Sequence, residues 1–264
     1  MYSDQGRVAL VTGSSGGLGR MTAILLAEAG WNLAIHYRNH QNKALQLKNQ
    51  LEGKGQGAEV FGGELKDREQ VGRLVREVVA RWGRLDALVH AVGPFFRERR
   101  RFADYNVDQI EEMVDGNLKS ALFAVHAALP AMRRQKSGRI VLFGFGRAME
   151  SPAWPDRSAY ASAKTGLVSL TKTLAVEEAP YGITANMVCP GDMVGENKEK
   201  RIHQVQNQRD EETPRGRPGC GEDVARVIRF LCEPASDFVT GNIINVTGGL
   251  DVIHPFSKAD PGAP

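Results

Sequence analysis

The sequence predicts an α/β fold, a doubly wound parallel sheet of about seven strands with helices on both faces, and three observations predict it. Short apolar runs alternate with longer amphipathic stretches along the 264 residues, as in chains built from strand–helix–strand units. Several of these runs are apolar throughout, which is typical of strands buried on both faces of a sheet. A hydrophobic content of 42% with a net charge of only +3 indicates a folded chain with a large core.

The first part of the chain alternates regularly. Residues 8–11 predict a buried strand, and residues 18–29 follow with helical spacing up to Gly30, a residue type that commonly ends helices. The stretch 67–82 carries valine and leucine on one helical face, which predicts an amphipathic helix. The other elements predicted here are strands at 33–35, 58–61 and 85–89 and a helix at 42–53.

The second part keeps the alternation but contains one long interruption. We predict helices at 107–134, 158–179 and 222–232 and strands at 139–143, 183–188 and 243–246. The polar stretch 195–217 is unusually long for a loop in a compact domain, which is typical of an active-site lid or a mobile segment. The tail 255–264 is predicted to be loose. Because no linker divides residues 1–264, we predict a single domain.

The composition excludes several classes of function. The sequence has no HExxH motif, and its three cysteines, Cys189, Cys220 and Cys232, form no CxxC pair. We therefore expect neither a disulfide framework nor a metal site. This cysteine usage fits a reducing compartment, and we expect the cytoplasm. No apolar run is long enough to span a membrane, and the N-terminus has no apolar signal region. The small positive charge gives no reason to expect nucleic-acid binding.

A glycine-rich turn lies between the first strand and the first helix, with the sequence Thr12-Gly13-Ser14-Ser15-Gly16-Gly17-Leu18-Gly19. Glycines allow a tight turn and let the backbone approach a pyrophosphate, while the helix N-terminus offers unpaired N–H groups to the anion. This pattern predicts a dinucleotide site; a plain strand–helix turn is the alternative. The candidate cofactor-binding residues of the turn are Gly13, Ser14, Ser15, Gly17, Leu18 and Gly19.

The end of the second strand indicates which dinucleotide is bound. The run His36-Tyr37-Arg38-Asn39 lacks the acid that NAD-specific sites use to hold the ribose 2′-hydroxyl. Arg38 can instead pair with a 2′-phosphate through charge-assisted hydrogen bonds. Tyr37, Arg38 and Asn39 therefore predict NADP(H) as the cofactor, the alternative being a solvated arginine at a strand end.

Tyr160 and Lys164 are four residues apart near the start of a predicted helix, so their side chains share one face. A phenol is a poor acid or base at neutral pH because its pKa is about 10. A neighbouring ammonium favours the phenolate and lowers that pKa. Such a pair could protonate a carbonyl oxygen as a hydride arrives, although this spacing alone is common on helices.

Taken in order, these motifs resemble the short-chain dehydrogenase/reductase family, and the resemblance extends from Val8 to about Gly249. It implies a Rossmann-like single domain, a nicotinamide cofactor and commonly a homotetramer. Within the family, the chain is most similar to 3-oxoacyl-[acyl-carrier-protein] reductases. The matching motifs are TGxxxGxG at 12–19, Gly116-Asn117-Leu118, YxxxK at 160–164, Cys189-Pro190-Gly191, Arg217-Pro218-Gly219, Thr240-Gly241 and Thr247-Gly248-Gly249.

The resemblance also implies roles for individual residues. Tyr160 would be the catalytic acid/base, Lys164 would lower its pKa and hold the nicotinamide ribose, and Asn117 would hold a water in the proton relay. The segment 192–217 would be the substrate loop. The remaining cofactor contacts would be Glu64 and Leu65 beside the adenine, Ala91 and Gly93 after the fourth strand, and Pro190 and Gly191 flanking the nicotinamide.

Two departures from the family pattern affect the site. The family's NNAG motif reads His90-Ala91-Val92-Gly93, with His90 interpreted as a packed histidine, and this change is expected to adjust cofactor binding. The family also places a serine after the fifth strand, where it hydrogen-bonds the substrate carbonyl, and ungapped register puts Phe145 there. Losing that contact costs on the order of 2–4 kcal/mol of barrier unless a water, a backbone N–H or Arg147 replaces it.

The sequence therefore predicts an NADPH-dependent reductase of a ketone, acting on a small carbonyl compound that a carrier could deliver. We expect a homo-oligomer, with the helices 107–134 and 158–179 as its contact surfaces. One alternative is a pteridine-reductase-like activity, because the run His36-Tyr37-Arg38 is similar to that of pteridine reductases. Those enzymes also lack the serine but carry an acid in its place, and no such acid is present here. The other is a cofactor-binding protein with little catalysis. The basic run 97–101 could meet an acidic substrate, although a solvated face explains it equally simply.

Overall fold

Seven parallel strands form one sheet in the computed structural model, which describes residues 6–54, 57–251 and 253. The spatial order is β3-β2-β1-β4-β5-β6-β7, and every neighbouring pair is parallel. The predicted doubly wound α/β fold is thereby confirmed, while the tail 255–264 lies outside the described residues. The strands are β1 (Val8–Thr12), β2 (Asn32–Tyr37), β3 (Ala58–Gly62), β4 (Ala87–His90), β5 (Gly138–Phe143), β6 (Ile183–Pro190) and β7 (Ile243–Val246).

The third helix shows how local chemistry satisfies the free backbone groups at helix ends. The third helix follows Asp67, whose carboxylate accepts the N–H groups of Glu69 and Gln70, and it ends at Gly83 in the left-handed region (φ 74°). In the described part of the chain, no helix is long and apolar enough to cross a membrane. The helices are α1 (Gly17–Glu28), α2 (Gln41–Glu52), α3 (Arg68–Trp82), α4 (Val107–Val114), α5 (Ser120–Gln135), α6 (Ser158–Glu177), α7 (Ile202–Val205) and α8 (Gly221–Cys232).

Apolar side chains fill the space on both faces of the sheet. Alternate residues of β1 point to opposite sides, so Val8 and Leu10 join one core while Ala9 and Val11 join the other. Helices α3, α5 and α6 cover the first face, and α1, α2 and α8 cover the second. The carboxyl ends of all the strands consequently meet at one edge of the sheet. The chain order reverses between β1 and β4, where folds of this type bind ligands.

The helix predicted over 107–134 is interrupted in the structure. Between α4 and α5 lies a π-helical turn, Asp115–Lys119, which adds a residue to one turn without leaving the helical path. Gly116 permits this turn to pack against the loop after β4, because a Cβ there would lie 2.4 Å from Cδ of Pro94. Apolar periodicity does not reveal such a local change of winding, and the change decides where Asn117 points.

The polar stretch 195–217 also has more structure than its composition suggests. It contains a 3₁₀ turn, Gly195–Glu199, and the short helix α7. Arg201 donates to the carboxylate of Glu28 at 2.5 Å, and the N–H of Ile202 donates to Glu222 at 2.6 Å. Contacts to α1 and α8 therefore hold the first part of this stretch in place.

Candidate active site

The candidate site follows the carboxyl edge of the sheet from the glycine-rich turn after β1 to the start of α6. Gly13 and Gly17 of the turn have φ values of 67° and 58°, which only glycine adopts without strain. A Cβ on Gly19 would lie 2.6 Å from the carbonyl oxygen of Gly13, so the turn can close only around a glycine. The result is a tight loop whose backbone continues directly into the N-terminus of α1.

Ser14 and His36 stabilise this turn through hydrogen bonds. The buried Ser14 hydroxyl donates to the carbonyl of Val11 at 2.7 Å and accepts the N–H of His36 at 3.0 Å. His36 Nδ1 accepts the N–H of Gly13 at 3.1 Å, so Nε2 carries the proton and donates to the carbonyl of Gly63 at 3.0 Å. Burial lowers the pKa of His36, which keeps it neutral. Ser14, a predicted cofactor ligand, therefore uses its side chain to support the turn.

Arg38 and Glu64 meet at the ends of β2 and β3. The guanidinium of Arg38 lies 3.5 Å from the Glu64 carboxylate and is 54% exposed, so it is free to reach a further anion. Tyr37 packs its ring on Gly62, where a Cβ would lie 2.9 Å from the phenol oxygen. Leu65 is buried in the core, so only its main chain can face a ligand.

Tyr160, Lys164 and Asn117 come together at the other end of the edge. The Nζ atom of buried Lys164 lies 5.9 Å from the centroid of the Tyr160 ring. A Cβ on Gly93 would lie 2.2 Å from Asn117 Oδ1 and 3.0 Å from Lys164 Nζ, so both polar atoms converge on this glycine. The three residues come from α6 and from the π-helical turn, which the strand order brings side by side.

The amide of Asn117 is oriented by the backbone around it. Its Nδ2 donates to the carbonyls of Pro94 and Met113 at 2.9 and 3.0 Å. Its Oδ1 is buried and has no hydrogen-bond partner among the described residues. An unpartnered buried acceptor next to an ammonium is a position that a water or a ligand donor can satisfy.

Burial changes the acid–base properties of both titrating groups. It raises the pKa of Tyr160 above its usual value, whereas the sequence predicted that Lys164 would lower it. Desolvation of the phenolate is the main cause of this rise, and the neighbouring Cys189 thiol adds to it. Burial also lowers the pKa of Lys164 to about 8. At neutral pH the phenol keeps its proton and the ammonium keeps its charge.

Aromatic rings surround Tyr160 where a serine was expected. Phe145 is 3% exposed, and its ring centroid lies 4.9 Å from Trp154 and 6.2 Å from Tyr160. Phe95 contacts Tyr160 edge-on at 4.9 Å. Phe145 therefore packs in the core beneath the phenol and presents no hydroxyl to a ligand.

The other candidates for the missing hydrogen bond are engaged or misplaced. Arg147 donates to the carboxylates of Glu150 and Asp251 at 2.8 and 2.6 Å. Ser158 lies two residues before Tyr160, so its side chain points to a different face of α6. Of the three possible replacements, a water, a backbone N–H or Arg147, the structure therefore shows Arg147 engaged elsewhere.

His90 is a packed histidine, as the sequence indicated. Ser120 donates its hydroxyl proton to the Gly116 carbonyl at 2.7 Å, so it accepts from His90 Nε2–H at 3.1 Å. His90 Nδ1 then accepts from the Thr12 hydroxyl at 3.3 Å. Burial lowers the pKa of His90 to about 3. This neutral side chain connects the glycine-rich turn to the π-helical turn that carries Asn117.

Arg157 is a site residue that the sequence analysis missed. It is buried, and its guanidinium donates to the carbonyls of Glu98 and Arg97 at 2.6 and 2.7 Å. Its Cζ lies 5.1 Å from the ring centroid of Phe95. Arg157 therefore holds the segment 94–101 against the start of α6 and places Phe95 on Tyr160. Its position just before a helix offers no signal of such a long-range contact.

The last predicted site residues, Pro190 and Gly191, lie where β6 ends. The N–H of Gly191 donates to the carbonyl of Val246 at 2.9 Å, and a Cβ on this glycine would lie 2.9 Å from Cα of Thr247. Close packing against the end of β7 therefore requires glycine at this position. The turn brings the start of the segment 192–217 to the same edge as Tyr160.

Comparison with known proteins relates most of the chain to one group of enzymes. Residues 13–251 match the family model described as enoyl-(acyl carrier protein) reductase. The chain is 43% identical over 249 residues to a Bacillus subtilis (strain 168) protein named provisionally as oxidoreductase YtkK, covering 94% of this chain and 98% of that protein. It is 31% identical over 242 residues to the Staphylococcus aureus (strain Mu50) 3-oxoacyl-[acyl-carrier-protein] reductase FabG, covering 92% and 97%.

Solved structures give the same relationship. A Bacillus thuringiensis protein described provisionally as a 3-oxoacyl-reductase superimposes with a TM-score of 0.87 at 41% identity, covering 94% of this chain and all of that one. Acetoin dehydrogenase from Enterobacter cloacae superimposes with a TM-score of 0.83 at 28% identity, covering 97% of this chain and all of that one. The fold is therefore shared with oxidoreductases of known structure.

We predict that Arg157→Gln loosens the segment 94–101. The substitution removes two charge-assisted hydrogen bonds to the carbonyl groups of Arg97 and Glu98, which costs about 1–3 kcal/mol of unfolding free energy. Hydrogen exchange should accelerate at the amide of Arg100, which donates to the carbonyl of Asp156 at 3.3 Å. The exposed Arg97 provides the matched control, since Arg97→Gln should change neither quantity. Equal exchange in both variants would show that the buried guanidinium does not hold the loop.

Proposed function

The chain belongs to the short-chain dehydrogenase/reductase family, and from this premise we propose that it uses NADPH to reduce a ketone to a secondary alcohol. The observation that carries the proposal is the convergence of the Tyr160 phenol, the Lys164 ammonium and the unpartnered Asn117 Oδ1. These are a proton donor, a charge that favours proton release, and an acceptor that can hold a connecting water.

The residues along the edge fit a nicotinamide dinucleotide. The glycine-rich turn leaves room for a diphosphate at Gly13, Ser15, Gly17, Leu18 and Gly19, since side chains at the glycines would collide or be strained. Ala91 and Gly93 would face the ribose next to Lys164, and Pro190 and Gly191 would flank the nicotinamide. When bound, this cofactor supplies the hydride, and the protein supplies position and the proton.

The preference for NADPH is supported by Arg38. Its exposed guanidinium is oriented by Glu64, and no acidic side chain follows β2 to take the ribose 2′-hydroxyl. A planar guanidinium can bind a 2′-phosphate through two hydrogen bonds. Glu64 would then hold Arg38 in place, with Tyr37, Asn39 and the main chain of Leu65 completing the adenosine end.

The proton passes through residues that the structure brings together. The Tyr160 hydroxyl donates its proton to the carbonyl oxygen while that oxygen gains negative charge. Lys164 stabilises the phenolate that remains, and a water on Asn117 Oδ1 can return a proton towards Lys164. Because Phe145 occupies the serine's place, we assign the hydrogen bond to the carbonyl to the phenol. The surrounding rings exclude water and strengthen that single hydrogen bond.

A 3-oxoacyl compound is the substrate class that the relatives support, since proteins 31% identical to this chain carry that activity in their names. The basic segment 97–101, at the mouth of the site, would suit a substrate that is delivered on a carrier. A homo-oligomer, as the family commonly forms, is supported by exposed apolar side chains on α5 and α6, Leu122 and Val176. The three buried free thiols suit the cytoplasm.

A second candidate, a cofactor-binding protein with little catalysis, is favoured by one observation, the absence of a hydroxyl at Phe145. The two candidates make different predictions for NADPH oxidation with a panel of ketones. Tight NADPH binding without ketone reduction would support the second candidate. Reduction that depends on Tyr160 supports the first.

We predict that Tyr160→Phe lowers kcat for ketone reduction by about 10²–10⁴-fold, because the reaction loses its general acid. NADPH binding, followed by fluorescence titration, should change little. Tyr181 is exposed and lies away from the site edge, so Tyr181→Phe is the control and should retain full activity. Unchanged turnover in Tyr160→Phe would exclude this mechanism.

The pH profile should report the charge of Lys164. Its pKa is lowered to about 8, so the ammonium is present below that pH and is lost as the pH rises through it. We expect kcat/KM to fall above about pH 8 in the wild type. In Lys164→Arg the side chain stays charged, so the descending limb should move to higher pH even if activity is lower. A limb at the same pH in both proteins would assign the titration to another group.

Arg38→Ala should weaken NADPH more than NADH, since only NADPH carries the 2′-phosphate. A charge-assisted hydrogen bond is worth about 1.5–3 kcal/mol, so the Kd of NADPH should rise about tenfold or more while that of NADH stays nearly constant. Lys43 is an exposed cation near the start of α2, and Lys43→Ala controls for the general loss of positive charge. Equal losses for both cofactors would mean that Arg38 merely supports the fold.

A further inference from the structure

Helix α1 lacks a cap of its own. Gly16 at its N-cap position has no side chain to offer, and its first turn contains no acidic residue. The first N–H groups of a helix need partners, and the positive end of the helix dipole attracts anions. In α3, by contrast, Asp67 satisfies this need from the adjoining loop.

A carboxylate from far along the chain fills this place. Glu199 Oε1 accepts the N–H of Gly17 at 2.7 Å, across a separation of 182 residues. Its other oxygen, Oε2, lies 3.6 Å from Nε of Arg20, which is on α1. The Glu199 side chain is 47% exposed, so this anion sits at the surface of the turn.

The segment that carries Glu199 is held independently of this contact. A Cβ on Gly221 would lie 1.9 Å from the carbonyl oxygen of Lys198, so the backbone of the 3₁₀ turn packs directly on the start of α8. Arg201 pairs with Glu28 at 2.5 Å, and Glu222 accepts the N–H of Ile202. Removing the carboxylate therefore leaves the segment anchored next to the turn.

We propose that Glu199 sets cofactor affinity by occupying the diphosphate position, so that the cofactor must displace its carboxylate from Gly17. This inference rests on the proposed function, which places the diphosphate on the same turn. One N–H cannot serve two anions, and like charges at this distance repel. Arg20, released from Glu199, is then available to pair with the incoming diphosphate.

The displacement links the two halves of the site. Glu199 belongs to the segment 192–217, whose beginning at Gly191 lies beside the edge that holds Tyr160. Displacement of Glu199 would therefore change a contact of this segment while its anchors on α1 and α8 remain.

The test is the affinity of Glu199→Gln for both cofactors, measured by fluorescence titration at low ionic strength. An anion at a helix N-terminus contributes about 0.3–1 kcal/mol, so removing the competing charge should tighten NADPH and NADH alike by about two- to fivefold. The gain should shrink at high salt, because the contact is exposed. Adenosine 2′-monophosphate has no diphosphate, and its Kd should stay the same.

The matched control is Glu196→Gln, which removes the same charge from the same 3₁₀ turn. Among the described residues, Glu196 makes no hydrogen bond or ion pair, so its substitution should leave both Kd values within error. Unchanged or weaker cofactor binding in Glu199→Gln, or an equal gain in Glu196→Gln, overturns the inference while leaving the proposed function intact. A wild-type protein that binds neither NADPH nor NADH overturns both.

Discussion

The parallel pairing of β1 with β4 is the constraint on which the rest of the structure depends. It places Thr12 opposite His90 at the point where the chain order reverses, and it brings every strand to the same carboxyl edge. The glycine-rich turn and the loop that contains Gly93 leave the sheet side by side for this reason. Without that register, the phenol of α6 and the turn before α1 would not share one cleft.

Two buried neutral histidines connect this edge of the sheet to neighbouring segments through hydrogen bonds. His36 connects the first turn to the end of β3, and His90 connects β1 to the π-helical turn through Ser120. In each histidine one ring nitrogen donates and the other accepts a hydrogen bond, which fixes a single neutral tautomer. Burial also lowers the pKa of both imidazoles. The histidine that departs from the NNAG pattern thus makes polar contacts through both of its ring nitrogens.

The chemistry of the site depends on how burial is distributed around Tyr160. Phe95, Phe145 and Trp154 remove water from the phenol, which raises its pKa and leaves its proton in place at neutral pH. One of these rings, that of Phe145, occupies the position where the family resemblance predicts a serine. Arg157 belongs to this arrangement, because its buried guanidinium donates hydrogen bonds to the backbone of the segment that carries Phe95.

The sequence by itself determined the features that local spacing encodes. The apolar runs located the strands, the glycines located the turn, and the four-residue spacing placed Tyr160 and Lys164 on one face. Only the tertiary structure decided how Asn117 points, why the pKa of the phenol rises, and that Arg157 and Glu199 reach the site. The reason is that winding, desolvation and long-range hydrogen bonds arise from segments that meet in space, and the contact of Glu199 with Gly17 joins residues that no local pattern relates.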